Sequence, residues 1–124
     1  MKSVLALALC LLASCVGIQS ASRSSLVGDW RYADKIQSCH YAFKADGSFT
    51  GEVIERERLV SKFRGRWTIQ GDALLYTYLG DALGRIAQGA TDRDKLLKIQ
   101  KDFFLIEAAD GSRRRYLRIP SATQ

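Results

Sequence analysis

The chain has 124 residues, a formal charge of +6, one histidine, one proline, ten glycines and three cysteines. That length supports one domain around a single core. A lone imidazole excludes a multi-histidine metal centre, and scarce proline beside abundant glycine fits strands joined by tight turns rather than long helices.

Lys2 is followed by "SVLALALCLLAS", a basic start and an apolar run of roughly a dozen residues, shorter than the about 20 needed to span a bilayer. The run closes on "LASC", Leu12 to Cys15. An ordinary cut after Ser14 would put bulky Leu12 where a small residue is wanted. The tetrapeptide instead resembles the lipobox of bacterial lipoproteins: Leu, two small residues, then the cysteine that is acylated. Cys10 fits less well because Leu9 precedes it.

The resemblance implies a signal peptide over residues 1–14 and, on Cys15, a thioether-linked diacylglycerol plus an amide-linked acyl chain such as palmitate. Two such anchors are what stable membrane attachment requires. Val16 rather than Asp after the cysteine implies the outer membrane if the host has two membranes. No other cofactor is expected. The competing expectation is a soluble secreted protein cut further on, within "QSASR".

Residues 15–25 then read as the lipidated cysteine and a small polar tether, and 26–124 as the domain. Removing residues 1–14 leaves 110 residues and a formal charge of +5. Cys39 becomes the one thiol left besides Cys15, so the domain rests on packing without an internal disulfide, and Cys39 is expected to be buried.

Eight period-two segments follow, bounded by turn residues. "LVGDWRY" (26–32) carries Trp30. "SCHYAFKA" (38–45) puts Cys39, Tyr41 and Phe43 on one face. "DG" at 46–47 predicts a hairpin turn, since both residues tolerate positive φ. "SFTGEVIE" (48–55) alternates Phe49, Gly51 and Val53 against Thr50 and Glu52, and "RER" (56–58) is expected to be a loop. "KFRGRWTIQ" (62–70) alternates Phe63, Gly65, Trp67 and Ile69 against Arg64, Arg66 and Thr68. After "GD" at 71–72 comes "ALLYTYL" (73–79), and "GDALGRIAQGATDRD" (80–94) breaks the rhythm as a loop. "KLLKIQ" (95–100), "DFFLIEA" (102–108), a second "DG" (110–111) and "SRRRYLRI" (112–119) complete the set. Eight short strands in hairpin succession predict an all-β antiparallel meander, closed as a barrel, half-open, or folded as two sheets.

"GDW" (28–30) in the first strand is similar to the G-x-W motif of lipocalins, in which a late arginine packs over the tryptophan. Arg118 is the best-placed match and Arg115 the second. The stretch "YAFKADGSFTGEV…GRWTIQGDALLYTY" resembles small bacterial lipocalin-like domains of exported proteins, so the resemblance covers most of 26–119. It implies a small lipocalin-like barrel with Gly28, Trp30 and Arg118 as its structural motif. The second and third lipocalin motifs are not visible.

No constellation names a reaction. Cys39 and His40 are adjacent on a strand and point to opposite faces, so they cannot form a nucleophile–base pair, and no catalytic residue is assigned. Asp81, Asp92 and Asp94 fall short of the six or more oxygens that Ca²⁺ takes, so no metal ligand is assigned and they are expected to be solvated turn residues. "RRR" (113–115), Arg118, Arg64 and Arg66 account for the basic balance, with Arg113 and Arg115 on one face and Arg114 on the other. In an envelope protein the partners for such charge are anionic lipid headgroups or polymers rather than nucleic acid.

Tyr41, Phe43, Phe49, Val53, Phe63, Trp67 and Ile69, with Gly51 and Gly65 among them, are expected to face inward. They either line a ligand cavity or fill the core, an eight-stranded barrel lying at the boundary between the two, and the size of the rings favours filling. The functional expectation is a non-enzymatic, lipid-anchored envelope module that acts structurally or as an inhibitor on an envelope polymer or protein. The alternative is a carrier or sensor of a small apolar ligand.

Overall fold

The period-two alternation closes on itself in a computed structural model, which describes residues 23–120. The proposed signal peptide, Cys15 and most of the tether lie outside the described residues. The strands are β1 (Gly28–Ala33), β2 (Gln37–Phe43), β3 (Ser48–Glu55), β4 (Arg58–Gln70), β5 (Ala73–Asp81), β6 (Thr91–Ile99), β7 (Phe103–Glu107) and β8 (Arg113–Ile119). Each pairs antiparallel with the next, and β1 pairs with β8 through Asp29↔Ile119, Trp30↔Arg118 and Arg31↔Leu117. The expected meander is therefore a closed barrel without a free edge.

Trp30, Cys39, Phe43, Phe49, Phe63, Trp67, Leu74, Tyr76, Leu96, Phe104, Ile106 and Tyr116 form the core. Arg31, His40, Lys62, Arg64 and Arg66 are exposed on the outside. An apolar interior under a charged exterior is the reverse of a barrel that spans a membrane.

The largest differences from the sequence expectation fall in three places. Arg23–Leu26 forms a helical turn, α1, so residues 23–25 are not tether and β1 starts at Gly28 rather than Leu26. Leu26 is fully buried and accepts a hydrogen bond from Trp30 Nε1 (2.8 Å), which fixes α1 across one end of the barrel. The expected loop 56–58 is a two-residue turn, Arg56-Glu57, with φ of 50° and 68°, and β4 begins at Arg58. β6 starts at Thr91 instead of Lys95, because Leu74–Thr77 of β5 pair with Thr91–Asp94.

Both Asp-Gly sequences make hairpin turns, as expected. In each, the glycine amide donates to a carbonyl three residues back (Gly47 to Lys44, 3.1 Å; Gly111 to Ala108, 2.9 Å), with φ of 91° and 87°. The aspartate of each turn accepts from the serine two residues on: Ser48 Oγ to Asp46, 2.6 Å, and Ser112 Oγ to Asp110, 2.7 Å. Those bonds hold both carboxyls below their ordinary range.

Candidate functional site

The end of the barrel under α1 is shut. Trp30 is fully buried there, edge-on to Phe104 at 4.8 Å between ring centroids. Arg118 lies over the Trp30 ring at 4.1 Å, and its guanidinium donates to the carbonyls of Lys101 (2.7 Å), Val27 (2.9 Å) and Ser25 (3.1 Å). One side chain thus ties β8, the turn before β7 and α1 together. Gly28, at φ 136°, is required beneath it, since a Cβ there would meet the guanidinium. Arg115, the second candidate for this role, instead stacks on Phe103 at 4.1 Å.

The middle of the barrel is filled with rings. Phe43 packs on Trp67 (5.0 Å), Phe49 on Tyr76 (5.4 Å) and Phe104 on Tyr116 (4.9 Å). A Cβ on Gly51 would collide with the Phe63 ring, and one on Gly65 with the Phe49 ring and the Thr77 carbonyl. Each glycine is covered by an aromatic ring on its inward side, so neither opens the barrel interior to a ligand. Phe43, Phe49, Phe63 and Trp67 are buried as expected; Val53 and Ile69 are half-buried against the core.

The opposite end is different in kind. Tyr41 has Phe49, Phe63, Tyr76 and Tyr116 around it at centroid distances of 5.6–6.2 Å, yet it is only half-buried. The inward residues near it become polar. Tyr78 and Tyr41, and Arg114 and Tyr116, lie within electrostatic reach of each other there. Tyr76 Oη donates to Asp94 Oδ2 (3.1 Å), and Arg114 lies 5.5 Å from the Tyr32 ring.

This cluster was not expected from the sequence. The sequence predicts a solvated loop for Asp92 and Asp94, but register with Tyr76 and Leu74 puts them on the inward face of β6, where Asp94 is half-buried and Asp92 stays exposed. Desolvation, reinforced by Asp92, raises the Asp94 carboxyl to about 6 against the pull of Tyr76 and Arg114. Asp81 behaves in the opposite way. Burial pushes it up, but Ser61 Oγ (2.6 Å) and the backbone amides of Leu83, Lys62 and Arg85 hold it low.

Cys39 and His40 are separated by the sheet as the alternation requires. Cys39 faces the core, where burial pushes its thiol up, and exposed His40 lies 3.8 Å from Asp29 on the outer wall. Among the described residues no group of three or more His, Cys, Asp and Glu is arranged to hold a metal ion.

No protein-family model matches the chain, and no curated protein matches it in sequence. Among solved structures it is similar to a lipocalin-like protein from Bacteroides uniformis ATCC 8492, with a TM-score of 0.60 and 17% identity over 77% of this chain and 99% of that one. The likeness is one of architecture: the chain folds as a lipocalin-like, eight-stranded antiparallel barrel.

Proposed function

We propose that this chain is a lipid-anchored envelope protein whose barrel is a non-enzymatic binding module, recognising an envelope polymer or a protein through its surface. The observation that carries the reading is the filled interior: rings cover Gly51 and Gly65, and the Trp30–Arg118 cap shuts one end. Surface apolar residues support it. Ile36, Ile54, Leu59 and Leu83 are exposed on the loops and strand ends around the open end, the kind of patch that marks a protein contact.

The "LASC" sequence supports anchoring through Cys15 and residence in the envelope, at the outer membrane where there are two. Expression in the native host tests this: wild-type protein should partition into detergent, and Cys15→Ala should release it or leave it unprocessed. Wild-type protein found wholly soluble, with an N-terminus beyond Ser20, would refute the anchor.

A second reading, carriage of a small ligand, is favoured by one feature, the half-buried Tyr41 among the core rings. The tyrosine hydroxyls, Asp94 and Arg114 there suit a ligand with polar groups better than the wholly apolar cargo expected from the sequence. Mass spectrometry of protein purified from its native membrane separates the readings: surface recognition predicts no stoichiometric small molecule that Arg114→Gln releases, and carriage predicts one.

A further inference from the structure

The outer wall of β2–β5 carries a groove of about 610 Å³, within the range of small-molecule sites. Small residues make it. Ala42, Thr50, Gly80 and Ala82 face outward where the rest of the wall carries long charged side chains, and Gly51 and Phe63 complete the lining. Gly80 is opposite Arg64 in the β4–β5 register, and a Cβ there would stand 3.6 Å from the guanidinium in ordinary contact. The barrel has no free edge, so an extended peptide cannot join here as an added strand.

The charges around the groove other than Arg64 have an opposite charge in register or hydrogen-bond donors beside them, although of these only His40–Asp29 is an ion pair among the described residues. Lys62 faces Glu52 across β3 and β4; His40 is beside Asp29. Asp81 accepts from a hydroxyl and three backbone amides. Arg64 lies opposite Thr50 on one side and Gly80 on the other, with no carboxylate across either strand and no ion pair among the described residues.

We infer that this groove is a binding site for a small apolar anion. Its carboxylate, sulfonate or phosphate group seats on the Arg64 guanidinium, whose fork matches such groups bidentately. Its apolar body lies on Ala42, Thr50 and Ala82. The site is on the outside of the barrel and stands whether or not Cys15 is acylated.

The test compares naphthalene-1-carboxylate with its uncharged analogue 1-naphthalenemethanol by calorimetric titration of the full domain. The acid should bind saturably at one per chain and the alcohol about tenfold or more weaker. Arg64→Gln, an exposed change that leaves the fold intact, should weaken the acid by about tenfold while leaving the alcohol unchanged. Gly80→Leu should abolish both by filling the groove, with melting temperature checked in parallel. Arg114→Gln, at the open end, should change neither. Absence of saturable acid binding, equal binding of acid and alcohol, or loss on Arg114→Gln but not on Arg64→Gln each overturns the assignment, the last in favour of the open end.

Discussion

Asp94 is a carboxylate held in a poor place for a charge. Its carboxyl sits at about 6 in the folded chain, against 3.8 for an unencumbered one, so the native state takes up a proton that the unfolded state releases between those values. Its ionised form therefore opposes folding above pH 6, and the penalty fades as pH falls towards 4. Asp94→Asn should stabilise the protein by roughly 1–2 kcal/mol at pH 7.5, and the gain should vanish near pH 4. Denaturant melts at the two pH values check this; a gain that is the same at both would remove burial as its cause.

The glycines make a second comparison at this scale. Gly65→Val meets a backbone carbonyl that cannot move away, whereas Gly51→Val meets only the Phe63 ring. Both should destabilise, Gly65→Val towards the upper end of about 1–3 kcal/mol and Gly51→Val towards the lower. A reversed order in thermal melts would mean that the Phe63 ring is the more rigid neighbour. These glycines were legible because they interrupt an alternating aromatic series. Asp94 was not, because an acidic residue facing inward contradicts the pattern from which strands are read, and only its register with Leu74 and Tyr76 discloses it.

At the scale of elements, the hairpins separate what local chemistry announces from what tertiary structure imposes. Asp46-Gly47 and Asp110-Gly111 announce their turns, since aspartate accepts from the following serine and glycine takes positive φ. Arg56-Glu57 announces nothing: both residues adopt positive φ without the side chains that ease it, held there by the long pairing of β3 with β4. Replacing the pair by Asn-Gly should stabilise the protein by roughly 1 kcal/mol by relieving that conformation. Chemical denaturation measures it, and an unchanged midpoint would show that side-chain contacts of Arg56 and Glu57 offset the strain. The helical turn α1 escaped notice because four residues are too few to show a helical period. The early start of β6 escaped because its inward positions are aspartates.

For the whole molecule, the strand count and order were legible in the alternation, and the Trp30–Arg118 contact in "GDW" and the late arginine. Closure between β1 and β8 was not, since nothing local distinguishes a barrel from two packed sheets; the Trp30↔Arg118 register decides it. Trp30→Ala should cost about 3–5 kcal/mol, the usual loss for a large core aromatic, which approaches the whole stability of a domain this small. An unmoved melting temperature would mean that the shut end contributes little to holding the barrel together.

The Arg118 bridge also sets a constraint in time. Its hydrogen bonds reach Val27 and Ser25 across sequence separations of 91 and 93 residues. β1 therefore keeps one side unpaired until β8 exists, and its exposed edge is the most long-lived hazard on the route to the native state. Such non-local closure makes folding slow compared with the local hairpins that precede it. A newly made chain of this design spends its early life as a string of hairpins with an unsealed seam, vulnerable to edge-to-edge aggregation. It is also loose enough to be threaded through a narrow passage before it locks.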